Sequence, residues 1–181
     1  MEKFLNYKRI KRVLLLDKKV YREIKQDSKH AMQQSIRVLM ASALIGSIWF
    51  ILYSFGVGLG IVFIAVPIGW LLISGFMHFI AKLLGGKASF TEYLRVTGYA
   101  QAPLALGIFS LPGYILGIIW AIACTIYATK EAHEISTLKA SVAVVATLFV
   151  LSLLAALFMI MLGLGIIGLL TPVSYPANYF G

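Results

Sequence analysis

The sequence predicts an all-α fold: a polytopic membrane helix bundle of five transmembrane helices, preceded by an N-terminal amphipathic interfacial helix. Three observations lead there. Of 181 residues, 60% are hydrophobic and 13% charged, with a mean hydropathy of +0.90, whereas soluble domains are usually near a quarter charged. Apolar runs such as "VLMASALIGSIWFILYSFGVGLGIVFIAVPIGWLLISGF" far exceed the roughly 18 residues that suggest a bilayer-spanning helix. They are apolar on every face instead of alternating over segments of about 10 residues, so a barrel is excluded.

Residues 1–37 form a basic tail. Phe4, Tyr7, Ile10, Val13, Leu16, Val20 and Ile24 recur every three or four positions, while Lys8, Lys11, Arg12, Lys18, Lys19, Arg22 and Lys25 take the other faces. That pattern predicts a basic amphipathic helix lying in the cytoplasmic interface. The longest purely apolar run here, Val13 to Leu16, is too short for a cleavable signal peptide. The net charge is +9, and 11 of the 16 Lys and Arg residues precede residue 38. Attraction to anionic lipid headgroups, about 1 kcal/mol per basic residue near the surface, accounts for that charge without nucleic acid.

Five spans are predicted within residues 38–170: 38–56, 60–82, 93–110, 113–130 and 140–169. "GVGLG" and "LPG" supply uncharged turns between antiparallel neighbours. Every Lys and Arg then falls on one face, which places the amino terminus in the cytoplasm and the uncharged tail 171–181 outside. Residues 93–112 have two open geometries, a full span kinked at Pro103 or a re-entrant hairpin. The fifth span, 30 residues long, would reach roughly 45 Å at 1.5 Å per residue. A break, kink or close helix approach is expected at Gly163, Gly165 and Gly168.

Polar residues inside spans usually face the bundle interior or a wet cavity. Ser74, His78 and Lys82 form one stripe at i, i+4 and i+8 on the second span. Lys82 reads as a snorkelling anchor, and Lys87 and Arg95 as further lipid-headgroup contacts. "GGKASFTEYL" reads as a helix stop, with Gly85 and Gly86 in left-handed backbone, followed by a Ser89/Glu92 capping box. In "RVTGYAQAP", Tyr99 and Gln101 are expected to approach His78, with Gly98 permitting close packing and Pro103 freeing a carbonyl. Ser74, His78, Tyr99 and Gln101 are thus a candidate polar groove. "KEAHEISTLKA" reads as a solvated loop with a helix start at Ser136 or Thr137.

No catalytic residue, metal or cofactor is assigned. "EAHE" lacks the two histidines at i, i+4 of a metalloprotease, Ser74 and His78 have poor attack geometry on one helix, and Walker A is absent. Cys124, the single cysteine, excludes an intrachain disulfide and reads as a small packing residue.

The segments "VLLLDKKVYREIKQDS", "MHFIAKLLGGKASFTEYLRVTGYAQAP" and "IIWAIACTIYATKEAHEISTLKA", in that order, resemble the Yip1 domain family. The resemblance implies a five-span integral membrane protein, here in a prokaryotic cell membrane, with no agreed activity. Two departures matter: Asp17 stands where the family has a proline, and the acidic aromatic segment of Rab-linked members is absent. Rab binding is therefore not carried over. The expected function is non-enzymatic organisation of membrane or membrane-protein partners, with self-association. The alternative is a lipid or small-solute transporter using the polar groove.

Overall fold

Asp17 divides the amphipathic stretch that periodicity suggests is one helix. Its side chain accepts from the Lys19 N–H at 2.9 Å, capping helix α2 (Lys18–Gln26), while α1 (Tyr7–Leu14) ends one turn earlier. A short acidic side chain competes with a continuous helix because it can satisfy the free N–H groups of a new one. Leu16 turns the chain with φ +56°, and Arg12 pins the hairpin by pairing with Asp17 and Glu23, each at 2.7 Å. Val13, Val20, Tyr21 and Ile24 are fully buried, so the apolar face packs on the helices of residues 90–133 and not on a lipid interface. The computed structural model describes residues 6–54 and 57–170, with side chains for 6–54 and 58–164; Phe4 and residues 171–181 lie outside the described residues.

The region expected as span 38–56 starts earlier, at α3 (Ala31–Gly46), and breaks at Ser47 before α4 (Ile48–Tyr53). The Ser47 hydroxyl donates to the Ala43 carbonyl at 2.5 Å, a back-bond that bends helices. Helix α5 (Val57–Leu83) matches the second expected span. Helix α6 (Phe90–Ala100) gives way to a 3₁₀ segment (Ala102–Phe109) with Pro103 in its first turn. Proline lacks the N–H an α-helix needs and clashes with the preceding turn.

Ser110, at φ +66°, reverses the chain into α7 (Ser110–His133), which returns antiparallel. The Tyr93 and Thr129 hydroxyls meet at 2.9 Å, and a Cβ on Gly117 would stand 2.8 Å from the Pro103 carbonyl oxygen. Helix α3 runs parallel to α6: Ser35 donates to the Leu94 carbonyl at 3.1 Å, and a Cβ on Gly98 would collide with the Ser35 hydroxyl. Small residues thus let backbones approach where lipid offers no hydrophobic drive between helices.

Helix α8 (Thr137–Leu170) is continuous, so the break expected at the glycine run does not occur. Among the described residues, a Cβ on Gly163 would meet nothing within 4 Å; Gly165 and Gly168 lie outside the residues whose side chains are described. An intact helix keeps its backbone groups paired where no water can replace them. Two compact units emerge, Met1–Thr147 and Leu148–Gly181; the described part of the second is the distal length of α8.

Three helical stretches are long and apolar enough to cross a membrane: Gly58–Leu83, Phe90–His133 and Thr137–Leu164. The middle one, 44 residues long, contains the reversal at Ser110.

Candidate functional site

The most polar part of the helix bundle is the end where α5 stops, α6 starts and α7 stops. Gly85 ends α5 in left-handed backbone, φ +92°, as the double glycine suggests. Gly86 does not share that conformation, and it serves a different need: a Cβ there would strike the His133 ring and come 2.7 Å from the Ala81 carbonyl oxygen. The expected capping box is present, with the Ser89 N–H donating to Glu92 at 2.7 Å and the Glu92 N–H to Ser89 Oγ at 3.3 Å. It fixes the first turn of α6, and hence Tyr93.

His78 on α5 meets His133 on α7, Nδ1 to Nε2, at 3.2 Å. Tyr93 closes a third side, its ring 5.0 Å from His133 and 5.7 Å from His78. Phe90 lies 5.5 Å from the His78 ring. His133 is fully buried, and its Nδ1 has no hydrogen-bond partner among the described residues. A buried lone pair without a donor costs less than a buried N–H without an acceptor. The favoured tautomer therefore has His133 Nε2–H donating to His78 Nδ1. Lys87 N–H donates to the His133 carbonyl at 3.1 Å, tying the α5–α6 loop to the same joint.

The other expected groove residues are placed elsewhere. Ser74 is buried with its hydroxyl 3.3 Å from Thr97 Oγ1, which also accepts from Trp70 Nε1 at 3.3 Å. Tyr99 donates to Gln34 on α3 at 2.5 Å, and the Gln101 amide donates to the Thr97 carbonyl at 3.5 Å. Tyr99 and Gln101 thus lock α6 locally and to α3, and His78 has His133 where they were expected. Lys82 is exposed and donates to the Lys87 carbonyl at 3.5 Å, and the Lys87 ammonium stands 3.6 Å from Glu134. Arg95 turns inward to the Lys25 carbonyl at 3.0 Å.

The α1–α2 hairpin docks onto this end. Arg22 pairs with Glu131 at 2.8 Å and Lys25 with Glu134 at 3.0 Å. Glu131 is 3% exposed and Arg22 67%. Arg9 holds Asp27 at 2.7 Å and reaches Gln34 at 3.4 Å. Burial pushes the Asp27 carboxyl up, but the Arg9 guanidinium and the His30 N–H together hold it below its ordinary value. The bond from Lys25 holds Glu134 low in the same way.

Glu131 and His133, which read as part of a solvated loop, are therefore buried. The signal that could have found His133 is the i, i+4 row Thr125, Thr129, His133 on α7, matching the row Ser74, His78, Lys82 on α5. Among the described residues, no group of three or more His, Cys, Asp or Glu is placed to hold a metal.

The geometry above is that of a membrane helix bundle whose N-terminal segment packs into it, and comparison with known proteins extends this. A family model for the Yip1 domain matches residues 11–160, from inside α1 to the distal part of α8. The chain belongs to the Yip1 domain family. Among curated proteins, an uncharacterized protein of Methanocaldococcus jannaschii is 42% identical over 45 residues, 25% of this chain and 32% of that relative. This Yip1 domain chain thus aligns with about a third of the relative's length. No solved structure matches it. Family membership and the apolar helices make it an integral, multi-pass membrane protein that contacts lipid.

Proposed function

We propose that this Yip1 domain protein is a non-enzymatic organiser of membrane or membrane-protein partners. It crosses the bilayer five times, with its amino terminus cytoplasmic and its carboxyl terminus outside, and acts through a preformed basic surface. The five passes are α3 with α4, α5, α6 with its 3₁₀ extension, α7, and α8. The observation that carries the reading is the docked hairpin. Its apolar face and several of its charges are committed to the bundle through Arg22, Lys25 and Arg9, while Lys11, Lys18, Lys19 and Lys29 remain exposed. Each exposed lysine near an anionic surface contributes about 1 kcal/mol, and holding them on a folded hairpin spares the ordering cost at the moment of contact.

The polar groups that a transport path would need are hydrogen-bonded between or within helices, so transport is not carried forward. The test is energy transfer from labelled protein to headgroup-labelled phosphatidylglycerol or phosphatidylcholine in vesicles. Enrichment of the anionic lipid alone, lost when Lys11, Lys18, Lys19 and Lys29 become Gln, supports the reading. Equal transfer to both lipids rejects it.

A further inference from the structure

The polar boundary of the bundle lies at different levels on its two flanks. On α5, apolar exposure continues to Phe76 and Phe79, 44% and 61% exposed, beside His78 and so level with His133. Beside α7, the turn of the α1–α2 hairpin is anchored much deeper. Trp120 Nε1 donates to the Leu14 carbonyl at 3.0 Å, and Cys124 Sγ lies 3.7 Å from the Val13 carbonyl. The residues flanking that turn are Lys11, Arg12, Asp17, Lys18 and Lys19. Trp120 precedes His133 by 13 residues, which at 1.5 Å per residue is about 20 Å along α7.

A flat bilayer surface cannot serve both flanks of an upright bundle. Cys124, level with Val13 beside Arg12, precedes His133 by nine residues, about 14 Å, so the charges flanking the turn would sit close to the midplane of a hydrocarbon core about 30 Å thick. Tilt alone, with one or two helix diameters of about 10 Å between the flanks, would have to reach about 35–55°, against an extreme of about 40° for spanning helices. Buried charges in membranes are otherwise met by local thinning and water defects.

From this we infer that the α1–α2 hairpin is a polar wedge that thins the adjoining leaflet along the α7 flank, drawing water and headgroups down to the level of Trp120. The wedge rests on the five-pass insertion proposed above and specifies what the organiser does to lipid. Trp120, 43% exposed, sits at the floor of the indentation, where its amphipathic ring suits an interface. Beyond it α7 exposes Leu116, Ile115 and Leu111, so hydrocarbon contact resumes there.

Two measurements in phosphatidylcholine vesicles containing phosphatidylglycerol test the wedge, both in a Cys124→Ala background. A Lys25→Cys, Glu134→Cys pair is treated with a short bis-maleimide, which adds one thiol to each ring, to read docking. Single probes on Leu15→Cys, Phe79→Cys and Leu116→Cys are quenched by aqueous iodide or by a nitroxide on the lipid acyl chain. The wedge requires the bridge to form, with iodide quenching the Leu15 probe several-fold more than the other two, which the nitroxide quenches instead.

Absence of the bridge in vesicles means the hairpin is not docked there, and overturns it. A bridged protein whose Leu15 probe answers to the nitroxide also overturns it, because no water has been drawn in. Iodide quenching at Phe79 as well overturns it too, because the bundle end then lies outside the bilayer. Enrichment of anionic lipid is read separately, so loss of the wedge leaves the organiser reading to its own test.

Discussion

At Gly86 the His133 ring and the Ala81 carbonyl occupy the space a side chain would need. Gly86→Ala should therefore destabilise the protein by about 1–3 kcal/mol, the usual cost of overpacking. Gly75→Ala on α5, where a Cβ meets nothing within 4 Å, should be neutral or stabilise by up to about 1 kcal/mol. Melting temperatures in one detergent decide this, and equal effects of the two substitutions would refute the close approach. His78 and His133 should couple: the double change to Phe should cost about 1 kcal/mol less than the sum of the single changes. At this scale the helix stop at Gly85 and the Ser89/Glu92 cap were legible because a double glycine and a Ser-x-x-Glu spacing are local signals. His133 and Glu131 were not, since their burial comes from α5 and α2 packing over a stretch that looks solvated on its own.

The hairpin is the element whose behaviour can be read most directly. Arg22→Ala leaves the Glu131 carboxylate, 3% exposed, without its cation. The expected loss is about 1–2 kcal/mol, at the lower end for bonds to charged groups because Arg22 itself is mostly exposed. Glu131→Gln in the same background should recover part of it, and hydrogen exchange of α2 amides measures both.

Docking also has a pH dependence of defined sign. Glu134 is held below its ordinary 4.5 by Lys25 across the docking contact and Asp27 below 3.8 by Arg9 and the His30 N–H within the N-terminal segment, so once the hairpin is both undocked and unfolded they bind protons more readily. Their contribution is complete above those values and is lost as pH falls through the lower docked ones. Hairpin protection should be flat from neutral pH to about pH 5 and weaken in more acid solution; a loss centred near pH 7 would exclude these carboxylates as its cause. Val13, Val20 and Ile24, which periodicity puts on one face of one helix, are all buried but on two helices, because Asp17 caps the second.

For the whole molecule, the five-pass arrangement proposed above would put the carboxyl terminus opposite the charged end. A reporter fused after Gly181 should be active only outside the cytoplasm, and a cytoplasmic signal would remove the five-pass reading. The membrane class, the positions of the long apolar helices and the Yip1 family were determined by the sequence alone, because solvent choice depends on composition and span placement on run length. Tertiary structure alone decided that His78 pairs with His133, that Tyr99 pairs with Gln34, and that the basic segment docks against α7. Each is a contact between residues 55 or more positions apart, and no local pattern of hydrophobicity or spacing says which surfaces of two helices will meet.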